Sequence, residues 1–157
     1  MFRVEELLGE TNVRARSGAA SRKRALQEIA ALLAGDGVTQ DALFDALMAR
    51  ERLGSTGLGE GVAIPHCRLP TQEIRVALLS LAAPIDYEAS DGEAVDLLFV
   101  LVVPADEPSA HLEALAALSE TFADPGNRST LRACTSDAEL CATMTDLLAR
   151  APKSASA

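Results

Sequence analysis

The sequence has no tryptophan, one tyrosine and four phenylalanines, so the rings on which proteins stack nucleic-acid bases are scarce. A core drawn from this composition has to be built mainly from Leu, Val, Ile and Ala, in a chain that is 48% hydrophobic and 24% charged. Basic charge is short as well. Fourteen Lys and Arg face 23 Asp and Glu for a formal net charge of -9, which argues against sequence-independent binding to nucleic acid or to an anionic membrane. No apolar run approaches the ~20 residues needed to span a bilayer, so membrane insertion is not expected. The opening MFRVEELLGETNVRAR lacks the charged-then-apolar pattern of a secretory signal, and the chain reads as cytoplasmic. The cysteines, Cys67, Cys134 and Cys141, are odd in number and without CxxC spacing, as in reduced thiols rather than a disulfide framework or a zinc site. No metal or cofactor is expected.

At 157 residues the chain suits one domain, placed at residues 1–150, with a small, polar and disordered tail over 151–157. Apolar spacing predicts a helix from Ser21 to about Gly35 burying Leu26, Ile29, Ala30 and Leu33. A second helix, capped by Thr39, should bury Leu43, Ala46 and Leu47. Asn12 to Ala15 reads as a short edge strand. Val62–Ile64 reads as a strand that ends at Pro65-His66. Ile74 to Ala82 and Asp96 to Val103 are near-continuous apolar runs, expected to be central strands buried on both faces. Between them Pro84 to Gly92 is a polar connection with room for a short edge strand. A helix capped by Ser109 should present Leu112, Leu115, Ala116, Ser119 and Phe122 as one stripe, with His111 in its first turn. A short helix over Asn127 to Cys134 follows. Ser136-Asp137-Ala138-Glu139 is a capping box ahead of Leu140, Cys141, Met144, Leu147 and Leu148. Helices on both sides of buried strands in the chain point to an α/β fold with one sheet covered on two faces.

Chemistry concentrates between Arg50 and Leu69. Gly54, Gly57, Gly59 and Gly61 supply backbone freedom, Ser55 and Thr56 supply hydroxyls, and Arg50, Arg52 and Arg68 supply charged forks that suit phosphate oxygens. The glycines match neither the G-x-x-x-x-G-K-[ST] loop nor a G-x-G-x-x-G turn, so a bound nucleotide is not supported. A phosphate carried on a protein side chain fits better. His66 is the candidate nucleophile, because a neutral imidazole nitrogen can accept a phosphoryl group as a phosphoramidate; a structural histidine is the alternative. Arg50 falls on the apolar stripe of its helix, seven residues after Leu43, and an arginine directed inwards needs an anion; near a helix C-terminus it could equally complement the dipole. Arg52 and Arg68 read as surface charge. His111, at the positive end of its helix, would stay neutral and could donate an N–H to a phosphate oxygen, or simply pack on the core. Cys67 adjoins His66 on an extended segment, so the two side chains take opposite faces and make a poor metal pair.

The run from Arg50 through Gly57 and on to Ala63-Ile64-Pro65-His66 resembles the REKxGSTGxGxGxAIPH motif of the type-2 IIA domains of the bacterial phosphoenolpyruvate phosphotransferase system. The resemblance leans to the nitrogen-related IIA branch, a stand-alone relative of the fructose and mannitol IIA domains. It continues through Lys23-Arg24-Ala25-Leu26, Ala94 to Phe99, Val103-Pro104-Ala105-Asp106, His111-Leu112 and Leu131-Arg132-Ala133. It covers about Glu5 to Leu148. It implies a mixed sheet with helices on both faces, phosphate received on His66 from the phosphohistidine of an HPr-like carrier, and Arg50 and His111 steadying it with Ser55 and Thr56 nearby. Regulated target proteins would be further partners. Cys67 departs from the glycine usual after the histidine, which could alter docking or redox sensitivity. The competing functions are a fructose- or mannitol-type IIA passing phosphate to a sugar-specific IIB, and a non-catalytic binding protein.

Overall fold

The computed structural model describes residues 3–71, 73–106 and 110–151, with Ala110 and His111 described by backbone alone. The tail over 152–157 and the expected cap Ser109 lie outside the described residues.

The two apolar runs become the longest strands, β5 (Arg75–Ile85) and β6 (Val95–Pro104). Their residues alternate between two cores. On β6, Leu98, Val100 and Val102 face one cluster, whereas Leu97, Phe99, Leu101 and Val103 face the other. Both sets are buried, which is why the sequence shows no polar alternation here. β5 and β6 pair antiparallel; β1 (Val13–Ser17) lies parallel to the free side of β5. On the other side of β6, β3 (Val62–Ala63) and β4 (His66–Leu69) run parallel to it, one after the other, and β2 (Gly57–Gly59) closes the edge antiparallel to β3. The order β1-β5-β6-β3-β2, with β4 also on β6, makes a mixed sheet.

Two helices cover one face. In α1 (Arg22–Leu33), Ser21 accepts the N–H of Arg24, and Ala25, Leu26, Ile29, Ala30 and Leu33 are buried. In α2 (Gln40–Arg52), Thr39 accepts the N–H of Ala42, and Leu43 and Leu47 are buried. The opposite face carries a short 3-10 turn at Val4–Leu7 and three helices, α3 (Ala110–Ala123), α4 (Pro125–Ala133) and α5 (Asp137–Arg150). Ser136 caps α5 by accepting the N–H of Glu139, and the Glu139 carboxylate reaches back to the N–H of Thr135. Among the described residues no helix is long and apolar enough to cross a membrane.

Four expectations change. The connection after β5 forms no strand of its own: β5 runs on through Pro84 to Ile85, and the proline falls inside the register break between Ser80 and Ile85, where a missing N–H costs no ladder bond. Gly57–Gly59, for which no element is expected, forms the strand β2. His66 opens β4 rather than closing the strand before it. Finally, α3 is rotated from the expected stripe. Ala114, Leu118, Thr121 and Phe122 are buried, while Leu112 is 61% exposed and Ala116 and Ser119 are exposed. This helix is apolar almost all round, so spacing alone could not choose its face. Ala114, Leu118 and Phe122, at i, i+4 and i+8, form the stripe that packs into the core on this face.

Candidate active site

Between α2 and β4 the backbone makes a tight hairpin. β2 and β3 are joined by Glu60-Gly61, both at positive φ (57° and 82°), the geometry of a type I′ turn. Glu60 tolerates it because both of its main-chain polar groups are held: its N–H donates to Asp91 at 2.9 Å, and its carbonyl accepts from Arg132 at 2.7 Å. The Asp91 carboxyl, accepting the N–H groups of Glu93 and Glu60, is lowered from the usual carboxylate range. Arg132 also pairs with Asp96 at 2.9 Å, tying α4 to the start of β6. Gly61 has no room for a side chain, since an added Cβ would meet Arg132 at 2.4 Å; at Gly57 it would meet the Ala89 methyl at 2.7 Å.

After the hairpin the chain breaks its ladder at Ile64-Pro65. Proline has no N–H to offer, and the Ile64 carbonyl turns to His66, 2.9 Å from Nδ1. His66 sits in register with Leu101, on the α3 side of the sheet, and Cys67 with Val102, on the α1–α2 side. The opposite-face reading of this pair holds. Among the described residues β4 pairs only with β6. A hollow of about 580 Å³ runs along it, lined by Arg50 and Leu53 of the α2 end, by His66 and Arg68, and by Cys67 and Val103. His66 and Arg50 are half-buried, while Leu53 is 84% exposed. Arg50 donates to the Gly54 carbonyl at 2.9 Å, which steers its guanidinium over the end of α2. Ion pairs among the described residues engage Arg14, Arg22, Arg128, Arg132 and Arg150, and none engages Arg50, Arg52 or Arg68. An anion entering the hollow therefore meets cationic groups not already neutralised.

The structure thus brings His66, Arg50 and Arg68 together. The backbone of His111 lies in the first turn of α3, on the sheet face that His66 shares, and its side chain is outside the described residues. Ser55 and Thr56 do not line the hollow. The Ser55 hydroxyl donates to the Tyr87 carbonyl and accepts the N–H of Gly57; the Thr56 hydroxyl donates to Glu51. Cys67 is buried, and burial pushes its thiol up from 9.0 to about 12, so it stays protonated and weakly nucleophilic at neutral pH. No group of His, Cys, Asp and Glu among the described residues is arranged to hold a metal.

Sequence reasoning missed Glu51, which is 4% exposed. Its carboxylate accepts the Thr56 N–H at 3.0 Å, the Thr56 hydroxyl, and the Tyr87 hydroxyl at 2.9 Å. Arg22, 4.0 Å away, lies over the Tyr87 ring and bridges outwards to Glu88. Burial, followed by the nearby Glu51 charge, raises the Tyr87 phenol above its usual range. The signal was present: Leu43, Leu47 and Glu51 are spaced i, i+4 and i+8, which places a carboxylate on a buried stripe just before the glycines.

Residues 6–146 match the family "Phosphoenolpyruvate-dependent sugar phosphotransferase system, EIIA 2". A nitrogen regulatory protein of Escherichia coli (strain K12) is 38% identical over 148 residues, covering 92% of this chain and 91% of the relative. One from Pseudomonas aeruginosa is 47% identical over 124 residues, covering 76% and 79%. The crystal structure of nitrogen regulatory protein IIA-Ntr from Neisseria meningitidis superposes with a TM-score of 0.85 at 34% identity, over 90% of this chain and 98% of that one. By this match over most of its residues, the chain belongs to the EIIA 2 family of the phosphotransferase system, alongside nitrogen regulatory proteins that it matches over most of its length.

Proposed function

We propose that the protein is a phosphoryl carrier that accepts phosphate on His66 from the phosphohistidine of an HPr-like carrier protein, and that its phosphorylation state regulates other proteins. The observation that carries this reading is the contact between His66 Nδ1 and the Ile64 carbonyl at 2.9 Å, beside a hollow rimmed by arginine. A carbonyl oxygen only accepts, so in the neutral ring Nδ1 holds the proton and the lone pair sits on Nε2. Nε2 attacks the phosphorus of the donor phosphohistidine. The new N–P bond forms as the donor's N–P bond breaks, and the donor imidazole leaves with the electron pair. Little covalent work is asked of the protein beyond alignment and charge neutralisation. Arg50 supplies the neutralising charge from the α2 end, and His111 donates an N–H from the first turn of α3. Ser55 and Thr56 serve the same phosphate indirectly by fixing the hairpin. The regulatory role is supported by likeness to nitrogen regulatory proteins at 37% and 38% identity, each over 92% of the chain.

Incubation with a phosphorylated HPr-type carrier, followed by mass spectrometry for an acid-labile, base-stable phosphate, tests the reading. One phosphate on the wild type and none on His66→Ala is the expected result. An unlabelled wild type would refute the carrier function; a labelled His66→Ala would refute the residue.

A further inference from the structure

Three consecutive contacts connect the buried carboxylate under the hairpin to the imidazole in the hollow. Glu51 Oε1 accepts the Thr56 N–H at 3.0 Å; the Thr56 carbonyl accepts the Ile64 N–H at 3.0 Å; the Ile64 carbonyl meets His66 Nδ1 at 2.9 Å. The start of the chain is itself held, because the Tyr87 hydroxyl donates to the second oxygen of Glu51 at 2.9 Å and the Thr56 hydroxyl donates to it too. Every link runs in one direction, donor to acceptor, through the residues Thr56 and Ile64. The N–H and carbonyl of each belong to different peptide groups, so the chain acts by placement: Glu51 fixes the Thr56 backbone, Thr56 fixes Ile64, and the Ile64 carbonyl fixes the His66 ring.

We infer that Glu51 is a positioning residue for His66, acting through the backbone placement of Thr56 and Ile64 to hold the imidazole in the tautomer with its proton on Nδ1. This rests on His66 being the phosphoryl acceptor. Glu51 touches neither the hollow nor the ring, and its side chain is fully buried. Several facts separate this role from mere loop support. The Ile64 carbonyl lies in the junction between β3 and β4, strands that each pair with β6, and it meets His66 Nδ1. Carboxylates commonly orient a functional histidine through its second nitrogen; here a carboxylate does so at a distance, through main chain. Tyr87, the only tyrosine in the sequence, supplies the phenol that anchors Glu51.

The test is imidazole nitrogen NMR on protein labelled with ¹⁵N-histidine, with transfer kinetics from a phosphorylated HPr-type carrier measured in parallel. In the wild type, His66 should show the Nδ1–H tautomer. In Glu51→Gln the Nε2–H share should rise, and the transfer rate at saturating carrier should fall about ten-fold with KM unchanged, the size usual for removing a group that orients a functional histidine. Thr56→Ser, which keeps both donors, should behave as wild type. A folded Glu51→Gln with unchanged tautomer and rate would overturn the inference, as would a wild type in the Nε2–H form. If Glu51→Gln does not fold, Tyr87→Phe decides: a shift in the same direction and a loss of about three-fold is expected, and no change in either readout overturns it. Should the wild type take no phosphate, the carrier reading falls while the tautomer measurement still judges Glu51.

Discussion

The two sides of the Arg50–Leu69 segment are built on opposite principles. Underneath, Glu51, Thr56, Tyr87 and Arg22 satisfy one another in a closed polar cluster that solvent hardly reaches. On top, Arg50, Arg68 and Leu53 stand around His66 in an open hollow, and the arginines form no ion pair among the described residues. On the proposed reading the hollow exchanges a charged group with another protein, which suits charge left available there; in the frame beneath, the Thr56 and Tyr87 donors are occupied by Glu51. Stability and chemistry should therefore separate on substitution.

The largest separation is expected at His66 and Glu51. His66→Ala should abolish phosphate acceptance and change unfolding free energy by no more than about 0.5 kcal/mol, because it is a half-buried edge residue. Glu51→Ala should lower stability by about 3 kcal/mol in urea unfolding, since it leaves the Thr56 and Tyr87 donors buried without an acceptor. Arg50→Ala should slow transfer about ten- to hundred-fold through lost charge neutralisation, while equilibrium unfolding shifts by less than about 1 kcal/mol. A loss of fold in Arg50→Ala would erase the distinction between rim and frame.

Smaller effects should distinguish glycines within the same motif. Gly61→Ala combines a positive φ of 82° with a Cβ 2.4 Å from Arg132, and should cost about 2 to 3 kcal/mol in thermal or urea unfolding. Gly54→Ala meets nothing within 4 Å and bears only the strain of its φ of 148°, about 1 kcal/mol. Alkaline titration should show an effect that depends on pH. The Cys67 thiol is raised from 9.0 to about 12 in the folded state, so its contribution to stability is complete below pH 9 and declines as pH rises towards 12, where the unfolded chain has already released the proton. The slope is at most about 1.4 kcal/mol per pH unit, and Cys67→Ala should flatten it in urea melts at pH 9 to 11. Iodoacetamide at pH 8 should modify Cys141, which is half-buried, before Cys67.

Much of this was legible in the residues. Helix caps at Ser21, Thr39 and Ser136 and the two apolar runs forecast α1, α2, α5, β5 and β6, because each is specified locally. His66 and Arg50 stood out through composition and position, and the structure brings them to one hollow. What stayed hidden depends on contacts distant in sequence. The face of α3 could not be chosen from a helix apolar on most sides, and β2 exists only because β3 pairs with it across a turn held by Asp91 and Arg132. Ser55 and Thr56 suit phosphate by side-chain type; the bonds their hydroxyls make to Tyr87 and Glu51, 32 and 5 residues away, could not be read from spacing. Glycine, too, was open to two readings. The N–H groups of Thr56, Gly57 and Glu60 are bound within the hairpin's own surroundings, so the stretch frames the histidine and is not itself an anion cradle.

The most direct measurement is the site of the phosphoryl group on the ring. Protein labelled with ¹⁵N-histidine and phosphorylated by an HPr-type carrier should show ¹⁵N–³¹P coupling at Nε2 of His66, with the Nδ1 proton retained. Coupling at Nδ1, or at any residue other than His66, would contradict the account.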